Sequence, residues 1–492
     1  MLTRRVLFAA PACAMIGGSM DERIHAMASK DTVVVAKKID DIVSFDPAES
    51  YMTSGNEICG NCYRRLVVPH NADMSKIVGD LASWSVSVDR MTITFDLRRD
   101  AYFDSGRPVT AEDAAFSLQR AVILDERPSF IIRQFGFAKH NVHQLIRAID
   151  DYTMTLTLPP LLATNLWYFV RPSFVLECLS ASIGSVVEKS TVLANQRNND
   201  LGNGWLKTHT AGAGSLKLTS WSASNHVVME ANPHYRANPY YRGTSDIRRV
   251  IIRHVPEPSM QLRLLRQGDV DIARDVGLEQ IKAVHDDPAY YRVQAPQWSS
   301  MWISLNRSMP ELNDNRIVKA IRWAIDYDDI AKNSTAGTWR VFHDSDAHPL
   351  INDNYEPLQF HKDTARARGL MAEAGLGNGI TVTMDHCSSA PFADVAQVVQ
   401  QNLAEIGIRV KLIAGEADQV ASKEWEGQHQ LAMLTQDHNH FYAADRMRLC
   451  CVQMDSIILL QKNTTVLVRQ DVNGIIIGPL DDYTQYNRIT KA

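Results

Sequence analysis

The chain has 492 residues, of which 45% are hydrophobic and 22% charged, and a formal net charge of -5. That length is too great for one core and points to two or three domains, and the composition is that of a globular protein. So small a charge for the size gives no electrostatic reason to expect nucleic acid or an anionic membrane as partner.

Residues 1–28 carry Arg4 and Arg5, an apolar run over 6–18, and small residues at Ala26 and Ala28, the layout of a cleavable signal peptide. The run is too short to span a bilayer, so export is expected, with the mature chain starting near Ser29 or Lys30. Thr3-Arg4-Arg5-Val6-Leu7-Phe8 leaves twin-arginine and general secretion both open. Ala12-Cys13 lacks the aliphatic residue of a good lipoprotein box. Beyond the leader the cysteines are Cys59, Cys62, Cys178, Cys387, Cys450 and Cys451, and an oxidising compartment would permit disulfides whose connectivity the sequence does not give. Cys59-Gly-Asn-Cys62 has redox spacing without the βαβ context of such a site, so a local disulfide or buried thiols are expected.

Residues 32–36, Thr-Val-Val-Val-Ala, read as a strand of the fully buried type. Phe45-Asp46-Pro47 ends the next loop, which carries Ser50, Tyr51 and Met52, and helical sequence runs through 57–66. At 92–97, Ile93, Phe95 and Leu97 alternate with Thr92, Thr94 and Asp96, the period of a strand with one buried face. Asp104, Ser105, Gly106 and Pro108 then mark a turn. Thr110 is placed to cap a helix, with Asp113 as its capping-box partner, Glu112 at the positive helix end, and Ala115, Leu118 and Val122 on one face.

A second strand pair lies around 147–159, followed by an apolar stretch at 161–179. Gly212-Ala213-Gly214-Ser215-Leu216-Lys217-Leu218 reads as a tight turn entering a strand, with Trp221 and Asn232-Pro233-His234-Tyr235 beyond it. A strand at 248–254 precedes a helix that ends in Leu265, Gly268, Val270, Asp271 and Ile272. Another strand covers 302–306, and Asp314 can cap a helix striped with Ile317, Ala320, Ile321 and Ala324. From 380 to 412 the pattern is strand, helix, strand: Ile380, Val382 and Met384 alternate, Val395, Val398, Val399, Leu403 and Ile406 line a helix, Gly407 ends it, and Ile408, Val410 and Leu412 alternate again. This βαβ unit implies parallel strands with a right-handed crossover. Strands at 457–461 and 466–469 lead to a final segment at 472–479.

Taken in order, these motifs resemble the peptide/nickel class of ABC-transporter solute-binding proteins. The resemblance spans 32–479 and is most specific in Phe95, Leu97, Arg98, Phe103, Gly106, Pro108, Thr110, Ala111, Glu112 and Asp113. It departs at Ala213 and Ser215, where relatives carry threonine and proline, and between 440 and 452, where relatives carry several helical turns. It implies an α/β, two-lobed periplasmic binding protein fold with an inserted α+β subdomain in the first lobe. The implied divisions are a first lobe of 29–70, 191–255 and 468–492, an insertion at 71–190, and a second lobe at 256–467, abridged near 444–452, with hinges near Val255 and at 468–474. The implied function is the periplasmic substrate-binding component of an ABC importer: a monomer without cofactor or catalysis that closes over a small peptide and passes it to ABC permease and ATPase subunits in the membrane.

Enclosing a zwitterionic peptide requires an anion for the amine, a cation or helix N-terminus for the carboxylate, and apolar walls between them. By position in the family, Tyr51 and Met52 line the cleft and Asp437 takes the amine. Arg340 and Arg322 are candidates for the carboxylate, and Trp302, Trp339 and Tyr442 for stacking on the ligand. Plainer readings stand beside these: Tyr51 and Met52 as caps of a small core, Asp437 as a solvated loop carboxylate, the tryptophans as packing, and Arg322 on an exposed helix face. The alternative ligand is a nickel complex or other small solute, with His438 and His440 beside Asp437 as metal ligands; a degenerate member with impaired transport, or an adhesin or chaperone on the same scaffold, is a further reading. No nucleophile elbow, zinc-protease helix motif, phosphate-binding loop or dinucleotide fingerprint occurs, and Gly375-Leu376-Gly377-Asn378-Gly379 reads as a turn.

Overall fold

The computed structural model describes residues 30–70, 76–159, 172–237, 246–335, 337–341, 360–388, 390–437, 456–478 and 481–492. The leader, Tyr442, His438, His440, Cys450, Cys451 and the 444–452 stretch lie outside the described residues.

The first strand, β1 (Thr32–Lys37), is buried along its whole length, which is why its sequence shows no alternation. Helix α1 (Thr53–Cys62) follows it. The chain then builds a separate antiparallel sheet from β2 (Ala82–Val86), β3 (Thr92–Leu97), β4 (Ile146–Ala148) and β5 (Thr153–Thr157), ordered β2-β3-β5-β4. Helix α2 (Ala111–Leu124) lies on this sheet and shares its core, where Leu118 and Val122 meet Ile93, Phe95, Met154 and Leu156. The capping box is present: Thr110 N–H donates to the Asp113 carboxylate at 3.0 Å, and Asp113 N–H donates to Thr110 Oγ1 at 3.4 Å. This is the inserted α+β subdomain.

The chain returns to the main sheet through β6 (Leu216–Ser222), β7 (His226–Ala231) and β8 (Arg249–His254), then forms α3 (Pro258–Gln267) and β9 (Ile272–Ala273). Strand β1 runs parallel to both β8 and β9. Residues 256–273, expected in the second lobe, pack instead on the first. The apolar face of α3, with Leu262, Leu264 and Leu265, fits Val34 and Ala36 of β1, and Gly268, at φ +79°, turns the chain straight back into β9.

Two long strands then join the halves: β10 (Tyr290–Leu305), and β15 (Ser456–Arg469) on the return. Between them lie α4 (Asn315–Ala324), β11 (Trp339–Val341), α5 (Thr364–Glu373), β12 (Ile380–Cys387), α6 (Phe392–Glu405), β13 (Ile408–Gly415), α7 (Ala417–Trp425) and β14 (Leu431–Asp437). The predicted βαβ unit is β12-α6-β13, with parallel strands and Val395, Val399 and Leu403 of α6 buried.

One hydrogen-bonded ladder, β6-β7-β8-β1-β9-β15-β10-β14-β12-β13, runs through the molecule, with β11 paired to β15 off this path. Its cores are nonetheless separate. At one end of β15, Val466 and Val468 join Val33, Val35 and Ile252; at the other, Ile457, Leu459 and Leu460 join Met301, Ile303, Ile321 and Met384. The fold is therefore two-lobed, with β10 and β15 as the passages between lobes. The last residues, including Ile475, Ile477, Tyr486 and Ile489, fill the first-lobe core.

Candidate functional site

Strand directions locate the crevice. Strand β9 is parallel to β1 and antiparallel to β15, and β15 is antiparallel to β10, so β10 leaves the first lobe at the carboxyl ends of β1, β8 and β9. In the second lobe β14 runs antiparallel to β10, with β12 and β13 parallel to β14, so their carboxyl ends point back at the crossing. Both lobes thus present the end of a parallel sheet at which ligands bind. Helices α1, α3, α6 and α7, each following such a strand, begin there and direct their positive dipole ends toward it, with the Ser54 N–H of α1 already donating to the Asp41 carboxylate at 2.9 Å.

On the first-lobe wall, Met52 is the N-cap of α1, makes no side-chain capping bond and is 40% exposed. Tyr51 beside it is half-buried, and Arg127 lies over its ring with the guanidinium carbon 4.1 Å from the centroid. Arg127 is exposed and has no carboxylate partner among the described residues. Sequence reasoning missed it, because Arg127 comes from the inserted subdomain, just past the helix of the signature motif, and only the fold sets it against Tyr51.

Behind this wall the strand ends carry a buried ionic cluster. Glu57 of α1 is fully buried and accepts from Lys37 Nζ at 2.5 Å, from Arg274 Nη1 at 2.8 Å and from the Tyr486 hydroxyl. Burial alone would raise its pKa, but Arg274 and then Lys37 overcome that and hold the carboxyl below its ordinary value. Burial, and then the Glu57 charge, push the Tyr486 phenol well up. Lys37 and Arg274 are therefore committed to the scaffold rather than offered to a ligand.

In the second lobe, Trp302 of β10 stands between Leu434 of β14 and Ile458 of β15, with a buried indole N–H that has no hydrogen-bond partner among the described residues. Residues Gln436, Ser300, Gln461 and Arg340 align in one register row across β14, β10, β15 and β11, and Arg340 donates to Gln461 Oε1. Asp437, the last residue of β14, pairs with Ser299 and so occupies a carboxyl-end position facing the crossing. Two expectations change. Trp339 is only 7% exposed and fills the second-lobe core, because β11 adds to the edge of β15 above α4. Arg322 is 5% exposed, not on an open helix face; it donates to the Ser456 carbonyl at 2.8 Å and stacks on Phe360.

Cys59 and Cys62 are buried, and burial pushes the Cys59 thiol up to about 12. Among the described residues no group of three His, Cys, Asp or Glu side chains could hold a metal ion, and no helix is long and apolar enough to cross a membrane. An open cavity of about 780 Å3 lies on the subdomain, lined by 77–84 and 96–98 and by none of the strand-end residues.

The family model of bacterial extracellular solute-binding proteins, family 5 (middle), matches residues 76–444. The chain is 26% identical over 394 residues to the probable D,D-dipeptide-binding periplasmic protein DdpA of Escherichia coli (strain K12), covering 79% of this chain and 71% of that one. It is 25% identical over 404 residues to the glutathione-binding protein GsiB of Pectobacterium atrosepticum, covering 80% and 71%. Among solved structures, the periplasmic murein tripeptide-binding protein MppA in its unliganded open form aligns with a TM-score of 0.74 at 18% identity, over 94% of this chain and 98% of that one. The periplasmic binding protein DppA of Helicobacter pylori, in complex with the peptide STSA, aligns with a TM-score of 0.66 at 20% identity, over 96% and 100%. With a fold of two lobes meeting at strand ends and a family match over most of its length, this chain belongs to the bacterial extracellular solute-binding proteins of family 5.

Proposed function

We propose that the protein is the periplasmic substrate-binding component of an ABC importer, that it captures small peptides by closing its lobes, and that it releases them unchanged to membrane permease and ATPase subunits. The observation that carries this reading is the pair of opposed sheet ends, joined among the described residues by β10 and β15 and lined by helix N-termini. The named ligands of the relatives, a D,D-dipeptide and glutathione, are small and carry free carboxylates. In this reading Arg127, held over the Tyr51 ring, takes the peptide carboxylate, Asp437 takes the amine, and Met52 and Trp302 supply apolar wall. Arg340 supports the floor through Gln461.

Closure then occurs where β10 and β15 lose register, between Pro296–Asn463 and Ser300–Gln461, rather than near Val255 or at 468–474. The lobes divide there, instead of at the 255/256 and 467/468 boundaries read from sequence. The protein acts as a monomer.

The test is calorimetric titration of protein stripped of endogenous ligand, with dialanine, D-alanyl-D-alanine, glutathione and nickel-histidine as probes, and mass spectrometry of each probe afterwards. At least one peptide should bind and be recovered intact, and Arg127→Ala should weaken it tenfold or more while leaving its carboxamide derivative unaffected. Binding of nickel-histidine alone, or cleavage of any peptide, would overturn the reading.

A further inference from the structure

The final described residues, 470–478 and 481–492, are seated on the first lobe and also reach the crossing strand. Lys491 Nζ donates to the Thr32 carbonyl at 2.9 Å and lies 3.1 Å from the Asp271 carboxylate. Asp482 receives Arg65 at 3.0 Å and the Ser182 hydroxyl at 2.9 Å, and Asn61 Nδ2 donates to the Thr484 carbonyl at 2.8 Å. Tyr483, Tyr486 and Ile489 are buried. These contacts fasten the segment to the first lobe.

It holds β10 at two levels. Within the first lobe the Tyr291 hydroxyl donates to the Val472 carbonyl at 2.6 Å. At the crossing, Gln297 Nε2 donates to the Gly478 carbonyl at 2.8 Å, with Gln297 only 9% exposed. Here β10 residues 297–299 stand opposite residue 462 of β15 alone, because pairing jumps from Pro296–Asn463 to Ser300–Gln461. Where the ladder gives way, a side-chain bond to a first-lobe carbonyl takes its place. That carbonyl belongs to a tightly packed residue, since a Cβ on Gly478 would stand 2.2 Å from Cβ of Tyr483, which is itself buried in the first lobe.

We infer that the C-terminal segment is a brace on the hinge: the bond from Gln297 to the Gly478 carbonyl restrains rotation of β10 and thereby sets how readily the crevice shuts. This rests on the reading of binding by lobe closure. Breaking the bond frees the register break from its tie to the first lobe, lowers the cost of leaving the ligand-free arrangement and so raises apparent affinity. One neutral hydrogen bond corresponds to about a fivefold change.

The experiment compares the full chain with Gln297→Leu, Gln297→Asn, whose shorter side chain does not reach, and Tyr291→Phe, which removes the bond inside the first lobe. Small-angle scattering of each ligand-free protein is read together with calorimetry using dialanine, D-alanyl-D-alanine and glutathione. The two Gln297 variants should show a smaller mean radius of gyration without ligand and bind the tightest probe about fivefold more tightly, with Tyr291→Phe unchanged in both. The brace is overturned if the Gln297 variants match wild type, or if Tyr291→Phe shifts as much as they do. If wild type binds none of the probes, the peptide reading fails, and ligand-free scattering alone decides the brace.

Discussion

Asp104 shows what the signature motif does. Its N–H donates to the Gly212 carbonyl at 2.9 Å, and Gly106, at φ +86°, brings the backbone against His234. The motif of the inserted subdomain thus docks on the glycine turn and the Asn-Pro-His-Tyr element of the first lobe, the other two stretches through which the sequence resembles its family. In that junction burial, and then the charge of Glu188, push the Asp104 carboxyl up to about 6, against the opposing pull of Lys217. A carboxyl whose folded pKa exceeds its unfolded value of about 3.9 contributes stability that is complete below about pH 4 and lost as pH rises through 6. Wild type should therefore lose stability relative to Asp104→Asn between pH 4 and pH 7, so urea midpoints measured across that range should diverge in favour of the variant; parallel midpoint profiles would contradict the assignment. The seating of Arg127 over Tyr51, from which we propose its carboxylate-binding role, belongs to this scale too, and it was invisible in the sequence. An arginine following a helix has no pattern of its own, and its partner Tyr51 comes from the other side of the signature motif.

Among elements, α2 was the most legible. Thr110, Glu112, Asp113 and the apolar stripe state its start and its buried face locally, and the structure repeats them. Removing the cap with Thr110→Ala should cost about 1 kcal/mol, read as a lower urea midpoint with an unchanged slope. Arg120 on the same helix makes a two-bond contact with the fully buried Asp46 and donates to the Leu201 carbonyl at 2.7 Å, which fixes the subdomain to the first lobe. The βαβ unit was equally plain, since both periodicities alternate within a short stretch. Elements set by distant partners were not. Trp339 and Arg322 looked like ligand groups because a tryptophan or arginine reads the same in a core as in a cleft; only the seating of β11 on β15, and of Arg322 against Ser456, tells them apart. The helix α3, read with the second lobe, packs on β1, because its apolar stripe says that it is buried, not against which sheet.

For the whole molecule, the sequence carried the number of lobes and their architecture, and the division we propose at the register break differs from the boundaries read there. A strand passing from one core to the other keeps the same alternation on both sides, so β10 and β15 look like ordinary long strands. Their register break between 296 and 300 is a property of pairing that no single stretch encodes. Binding of a peptide that bridges the two walls should reduce the radius of gyration in solution, and a disulfide or crosslink holding the lobes apart should abolish both binding and compaction. Tight binding with no change in scattering would mean that capture occurs on one lobe alone.

The double-stranded connection has a thermodynamic corollary. An extended backbone advances about 3.3 Å per residue and has almost no slack, so the lobes resemble plates on a leaf spring rather than beads on a string. Bringing them together forfeits little of the disorder that a floppy tether would surrender. The heat-capacity change on capture should accordingly be negative and grow with the non-polar area of the guest, reporting water leaving the walls rather than the ordering of a linker.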